Sequence, residues 1–170
     1  MPARASADPA SIREVVSGFD ARLFRLERTG AARARNFGIR QARGEIIAFT
    51  DDDASVGPEW LDALASGFSN PAVSAVVGPV FELASEPARL LFPSAGFDAG
   101  SDRVSLSRSD PTWFEKLRSG AFGFGANLAV RRAVFKRHGL FRECLGAGAP
   151  IGGDENYFLL ALIENGGLVV

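Results

Sequence analysis

The pattern of apolar and polar positions predicts five strands. Continuous apolar runs typical of buried strands occupy residues 45–50, 72–83 and 125–130. Residues 21–27 alternate between apolar and polar side chains, as a half-buried strand does, and residues 168–170 begin a further apolar run. Longer segments lie between these runs, so the runs are expected to be joined by helices rather than by tight turns.

Most of the connecting segments carry apolar residues at helical spacing. Helices are predicted at residues 8–19, 30–44, 59–68, 131–139 and 154–167. Glycine is expected to end two of them, at Gly44 and Gly139, because it adopts the backbone conformations that close a helix. A glycine-rich loop at residues 145–153 precedes the last helix.

Residues 84–120 have no sustained periodicity, and proline, serine, aspartate and glycine are scattered through them. Short helical pieces are expected only at residues 87–92 and 113–118. A long irregular segment inside a compact domain is often functional, so this one is predicted to be a loop or lid. The chain, residues 1–170, is otherwise predicted to form a single domain.

The alternation of strands and helices predicts an α/β sandwich with a largely parallel sheet. In such sheets ligands bind beyond the carboxyl ends of the strands. Asp51, Asp52 and Asp53 directly follow the predicted strand at residues 45–50, and they therefore lie at such an end.

Three consecutive carboxylates repel one another, so a cation or solvent must offset their charge. Hard cations such as Mg²⁺ and Mn²⁺ take carboxylate and phosphate oxygens as ligands, and this favours a metal site at Asp51 and Asp53. The alternative is a solvated turn that caps the next helix, because aspartate favours turns and caps for local reasons.

The composition narrows the possible partners. Hydrophobic residues make up 46% of the 170-residue chain, charged residues make up 23%, and the net charge is −1, so nothing favours nucleic acid as a partner.

Cys144 is the single cysteine, which excludes an intrachain disulfide and fits a reducing compartment. No apolar run reaches the roughly 18 residues of a membrane span. A cytoplasmic location, with the inner face of the membrane as a variant, is expected.

The first half of the chain resembles the nucleotide-sugar half of the family 2 glycosyltransferases. Their pattern runs from a glycine through Ala-Arg-Asn and a second glycine to Arg-Gly-Glu, an apolar strand and a D-x-D. The matching residues here are Gly30, Ala34-Arg35-Asn36, Gly38, Arg43-Gly44-Glu45 and Asp51 to Asp53.

The resemblance implies a glycosyltransferase A fold and transfer of a sugar, with inversion, from a nucleotide-diphosphate donor to an acceptor hydroxyl. It places Asp51 and Asp52 at the nucleotide sugar, Asp53 at a Mg²⁺ or Mn²⁺ ion and Arg35 beside the nucleotide. An arginine suits this position because its planar guanidinium offers several donors to phosphate. Arg33 and Arg40, on the same predicted helix, are interpreted as part of a solvated helix face.

The second half resembles the acceptor side of the same family. Asn127, in a Gly-Ala-Asn sequence, would bind a sugar or the acceptor, although an asparagine there can equally pin a turn. The family has Glu-Asp at a helix start, with the aspartate as general base, whereas this chain has the reversed pair Asp154-Glu155. The spacing to Gly166 favours Glu155 as the base, with Asp154 as the second candidate. Without the resemblance, acids in a first helical turn simply complement the helix dipole.

The resemblance covers roughly residues 20–170 and omits the family's first strands and its C-terminal end. The domain is therefore expected to be incomplete at both ends and to show little turnover alone, in an enzyme of bacterial style. One alternative is a non-catalytic remnant that binds a nucleotide sugar or a protein partner. Another is a magnesium-dependent phosphohydrolase, which would need a lysine near the acids, and the chain offers only Lys116 and Lys136.

Overall fold

A computed structural model describes residues 9–82, 89–90, 105–118 and 125–170. The helices are α1 (Pro9–Ser17), α2 (Ala31–Gln41), α3 (Trp60–Gly67), α4 (Trp113–Arg118), α5 (Arg132–His138) and α6 (Asp154–Glu164). The strands are β1 (Ile46–Phe49), β2 (Val73–Val77), β3 (Phe81–Glu82), β4 (Arg89–Leu90), β5 (Leu128–Arg131) and β6 (Leu168–Val169). None of these helices is long and apolar enough to cross a membrane.

Four strands form one sheet in the order β1-β5-β2-β6, which confirms the α/β class. β5 pairs antiparallel with both β1 and β2, whereas β2 and β6 are parallel. Three strands therefore run in one direction, but the predicted largely parallel pairing is wrong around β5. Apolar runs do not encode direction, because a strand buried on both faces is continuously apolar in either orientation.

Helices cover both faces of this sheet and give the three layers of a sandwich. On one face, Ile39 of α2, Phe135 of α5 and Leu162 of α6 pack with the sheet residue Leu128 in the main core. On the other face, Leu64 and Phe68 of the α3 region pack against β2 and β5. Leu128, Ala129 and Val130 are each 0% exposed, so β5 is the buried centre of the domain.

The predicted strand at residues 21–27 is wrong, because this segment is irregular in the structure. A strand is stable only when a neighbour satisfies its backbone groups, and within the described residues no strand pairs with it. Its apolar side chains remain partly exposed, Leu23 at 47% and Phe24 at 43%. The ring of Phe24 packs edge-on against Phe37 of α2, with centroids 5.1 Å apart.

Two further expectations are corrected locally. α2 ends before Gly44, because Ala42 is already extended, with φ −67° and ψ 141°. Arg89 and Leu90 form β4, paired antiparallel with β3, instead of the helical piece expected at residues 87–92. The helix expected at residues 113–118 is confirmed as α4. The rest of the irregular 84–120 segment lies largely outside the described residues.

Candidate active site

The arginine predicted to lie beside a nucleotide joins three separate segments of the chain. Arg35, on α2, donates from Nη1 to Asp154 Oδ2 at 2.7 Å and from Nη2 to Asp51 Oδ1 at 3.4 Å. Its Nη1 also lies 3.8 Å from Glu155 Oε2. The acids after β1 and the acids that begin α6 therefore meet at one guanidinium, and sequence reasoning did not predict this contact.

This charge cluster is largely withdrawn from solvent. The side chains of Arg35, Asp154 and Glu155 are 13%, 2% and 19% exposed, whereas that of Asp51 is 47% exposed. The guanidinium carbon of Arg35 also lies 5.9 Å from the centroid of the Phe141 ring. The folded state needs both Arg35 and Asp154, because removing either one leaves the buried charge of the other without a partner.

Two glycines make room for the cluster. A Cβ atom built on Gly125 would collide with the guanidinium of Arg35, and one built on Gly146 would collide with the carboxylate of Asp154. Gly146 also has a φ of 93°, in the region that side-chain-bearing residues rarely adopt. The glycine-rich character of the 145–153 loop is thus explained in part by the space that Asp154 requires.

We expect Gly146→Ala to lower the free energy of unfolding by about 2 kcal/mol or more, because the new methyl group meets Asp154 and strains the backbone. Gly152→Ala is the matched control in the same loop, since a Cβ there has nothing within 4 Å and its φ is not positive. Urea unfolding of both variants measures the difference. Equal losses would show that the contact with Asp154 is not the cause.

Asn36, next to Arg35, holds α2 against the backbone of Phe141. Its Nδ2 donates to the Phe141 carbonyl at 2.8 Å, and its Oδ1 accepts from the Phe141 amide at 2.9 Å. Asn36 is 2% exposed and lies on the apolar face of α2 with Ala32 and Ile39. The sequence predicted no role for it, although a polar residue at a buried helical position is a recognisable signal of such an anchor.

The two acids at the start of α6 differ in their solvent exposure and in how closely Arg35 binds them. Asp154 is buried and bound by Arg35, whereas Glu155 is the more accessible of the two. Burial, then the hydrogen bond with Asp154, raises the pKa of Glu155, and the Arg35 charge opposes this only in part. A carboxylate with a raised pKa is a stronger proton acceptor, so Glu155 is suited to general-base chemistry.

The three aspartates after β1 form an exposed turn, closed by a hydrogen bond from the Ala54 amide to the Asp51 carbonyl at 3.2 Å. Within the described residues, Asp52 and Asp53 make no side-chain hydrogen bond or ion pair. No group of three or more potential ligands that could hold a metal occurs in that part of the chain. The exposed carboxylate of Asp53 fits Mg²⁺, which usually keeps several water ligands and adds one or two carboxylates and the phosphate oxygens of a substrate.

The amide of Asn127 is occupied by hydrogen bonds within the protein. Its Oδ1 accepts from Trp60 Nε1 at 2.9 Å, and its Nδ2 donates to the Pro79 carbonyl at 3.0 Å. A Cβ atom on Gly78 would collide with this amide, so Gly78 permits the close approach. These contacts match the alternative interpretation, in which Asn127 stabilises a turn. Binding of a sugar by Asn127 stays a prediction.

Two curated proteins of Haloferax volcanii are similar to this chain. It is 43% identical over 125 residues to the glycosyltransferase AglE and 28% identical over 113 residues to the glucosyl-dolichyl phosphate glucuronosyltransferase. The matched segments are 74% and 64% of this chain but only 38% and 33% of the two relatives. Both relatives are archaeal, so they give no support to the expected bacterial style.

A similar solved structure is that of the mannosyltransferase PcManGT from Pyrobaculum calidifontis, in complex with GDP-Man and Mn²⁺. The similarity has a TM-score of 0.62 at 20% identity and covers 99% of this chain and 42% of that one. At this level of identity the likeness concerns the fold alone, and it confirms the expected glycosyltransferase A architecture.

The model of the family described as "Glycosyl transferase family 2" matches residues 6–139. The matched range includes Arg35 and the three aspartates, and it ends before Asp154 and Glu155. Because it covers well over half of the chain, it confirms the family that the motifs indicated. The chain belongs to glycosyl transferase family 2.

Proposed function

We propose that this domain transfers a sugar from a nucleotide-diphosphate donor to an acceptor hydroxyl, with inversion and with assistance from a divalent metal. The observation that carries the proposal is the cluster in which Arg35 contacts both Asp51 and Asp154. It brings the acids expected at the donor next to the acids expected at the acceptor, as a single displacement at one sugar carbon requires.

The donor side of the proposed site is the turn after β1. Asp51, with Asp52 beside it, would accept hydrogen bonds from the nucleotide sugar, while Asp53 would hold Mg²⁺ or Mn²⁺ together with diphosphate oxygens. Such a cation, when bound, neutralises charge that develops on the leaving diphosphate. Arg35 is held by carboxylates in this structure, so we propose that it orients Asp51 beside the nucleotide instead of binding phosphate directly.

The acceptor side of the proposed site is the start of α6. Glu155 would take the proton of the acceptor hydroxyl, whose oxygen forms a bond to the anomeric carbon as the bond to the diphosphate breaks. Attack opposite the leaving group inverts the configuration at that carbon. Asp154 stays bound to Arg35 and positions Glu155, since the two acids are adjacent on the first helical turn. The acceptor itself is not specified, and saccharide or lipid-linked hydroxyls both fit this chemistry.

We expect the chain to bind a GDP- or UDP-sugar more tightly with Mn²⁺ than without it, and Asp53→Ala to abolish that difference. Titration calorimetry with both sugars measures it. The exposed Asp62→Ala on α3 is the matched control, because it removes one carboxylate away from the turn. Metal-dependent affinity that survives in Asp53→Ala would contradict the role of Asp53.

The alternative of a non-catalytic binding domain remains, because the chain spans only 38% and 33% of the two curated relatives. Donor binding without turnover, in a polypeptide that includes the flanking sequence, would favour it. The phosphohydrolase alternative is weakened, since Lys116 pairs with Asp110 at 2.8 Å and the cation beside Asp51 is an arginine. A location in the cytoplasm or at the inner face of the membrane stays a prediction.

A further inference from the structure

A second candidate site lies on the outer side of α2. Residues of the irregular 21–28 segment and of α2, together with Glu143, line a shallow, open cleft of about 500 Å³, a volume within the range of small-molecule sites. Its lining combines four arginines, two glutamates and two apolar side chains, namely Arg25, Arg28, Arg33, Arg40, Glu27, Glu143, Leu26 and Phe37. We call it the arginine cleft.

The arginine cleft is separate from the charge cluster that Arg35 forms with Asp51, Asp154 and Glu155. Arg33, Phe37 and Arg40 follow one another at intervals of four and three residues, so they share one face of α2. Arg35 lies two positions after Arg33, which turns its side chain by roughly 200° around the helix axis. A ligand in the cleft would therefore contact the flank of α2 that does not face Asp51 and Asp154.

The charge balance of the cleft favours an anion. Four arginines face two glutamates there, although the whole chain carries a net charge of −1. Glu143 is already neutralised, because it accepts from Arg33 Nε at 3.0 Å, and the hydrogen bonds from Arg33 and then Asn36 lower its pKa. Within the described residues, Arg25, Arg28 and Arg40 have no ion-pair partner at salt-bridge distance. Arg40 acts on Glu143 through its charge but not at salt-bridge distance, so its guanidinium group, like those of Arg25 and Arg28, can still contact a ligand.

The chemistry of the lining selects among anions. Guanidinium groups bind phosphate with paired, charge-assisted hydrogen bonds. Leu26 and Phe37 are half-buried and add apolar surface, which a free inorganic ion would not use. We propose that the arginine cleft binds an organic phosphate, with the phosphate on Arg28 and Arg40 and the organic part on Phe37.

Binding to the 170-residue chain tests this with three probes: inorganic phosphate, octyl phosphate, and vesicles of phosphatidylcholine with or without phosphatidic acid. We expect saturable binding of octyl phosphate that is tighter than that of inorganic phosphate and falls about tenfold or more in the double variant Arg28→Gln/Arg40→Gln. Both arginines are exposed, so the variant should keep its fold, which circular dichroism checks.

The double variant Lys136→Gln/Arg137→Gln is the matched control, because it removes two exposed charges from α5. Its affinity for octyl phosphate should change less than about twofold, as expected for screened surface charges. Vesicle binding that requires phosphatidic acid and is lost in Arg28→Gln/Arg40→Gln would identify a lipid headgroup as the source, and its absence would identify a soluble ligand. Equal loss in both double variants, or no saturable binding of octyl phosphate, would overturn the proposal.

Discussion

Replacing Arg35 by methionine should lower the free energy of unfolding by about 3 to 5 kcal/mol. The substitution leaves the carboxylate of Asp154, which is 2% exposed, without the guanidinium that now lies 2.7 Å away. Removing one partner of a buried ion pair has this cost because the other charge stays buried and uncompensated. Urea unfolding at neutral pH, followed by circular dichroism, measures the change.

Arg33→Met provides a control on the same helix, two positions away. Arg33 and Glu143 are 33% and 37% exposed, so losing their ion pair should cost less than about 1 kcal/mol. The double variant Arg35→Met/Asp154→Leu should be more stable than the sum of its single variants predicts, because it removes both charges together. Additive losses would show that Arg35 and Asp154 do not depend on each other.

Replacing Glu155 by glutamine should reduce sugar transfer by about 10²- to 10⁴-fold while leaving donor affinity unchanged. Glutamine keeps the size of the side chain but cannot accept the acceptor proton, and general-base catalysis contributes a factor of this order. Turnover is to be measured in the longest native polypeptide that carries this chain, and donor binding by calorimetry. Transfer within tenfold of the wild type would exclude Glu155 as the base.

The same substitution should change how stability depends on pH. Because burial and Asp154 raise the pKa of Glu155 above its ordinary 4.5, the folded state holds this proton more tightly than the unfolded state does. The stability that neutral Glu155 contributes is complete below pH 4.5 and is lost as the pH rises through the raised value.

Glu155→Gln should therefore gain stability over the wild type as the pH rises. Urea unfolding across this range tests the sign, with Glu164→Gln as a control, since Glu164 is an exposed acid on the same helix. A gain that is independent of pH, or equal in both variants, would contradict the raised pKa.

Local patterns predicted much of the fold. The apolar run at residues 45–50 became β1, and the helical spacing after Asp154 became α6, within a few residues of the expected ends. The direction of β5 could not be predicted, because its residues are buried on both faces and direction depends on distant partners. The segment at residues 21–27 has the alternation of a strand without a described neighbour to pair with, and alternation alone does not create one.

The candidate site was predicted residue by residue but not as an arrangement. Resemblance indicated Arg35, the three aspartates after β1 and the two acids that begin α6, all of which follow Arg35 in the sequence. The hydrogen bond between Arg35 and Asp154 spans 119 positions, and no local pattern encodes such a contact. The space left by Gly125 is likewise visible only in three dimensions, since the side chain that fills it, Arg35, is far away in the sequence.

Proton NMR of the transfer reaction tests the central claim most directly, since it follows the anomeric protons of donor and product in one experiment. With a polypeptide that includes this chain, Mn²⁺, a GDP- or UDP-sugar and a hydroxyl acceptor, we expect the donor signal to decay. A product signal of inverted configuration should replace it, and Glu155→Gln should slow that exchange by at least about 100-fold. A product of retained configuration, or undiminished transfer by Glu155→Gln, would contradict the account.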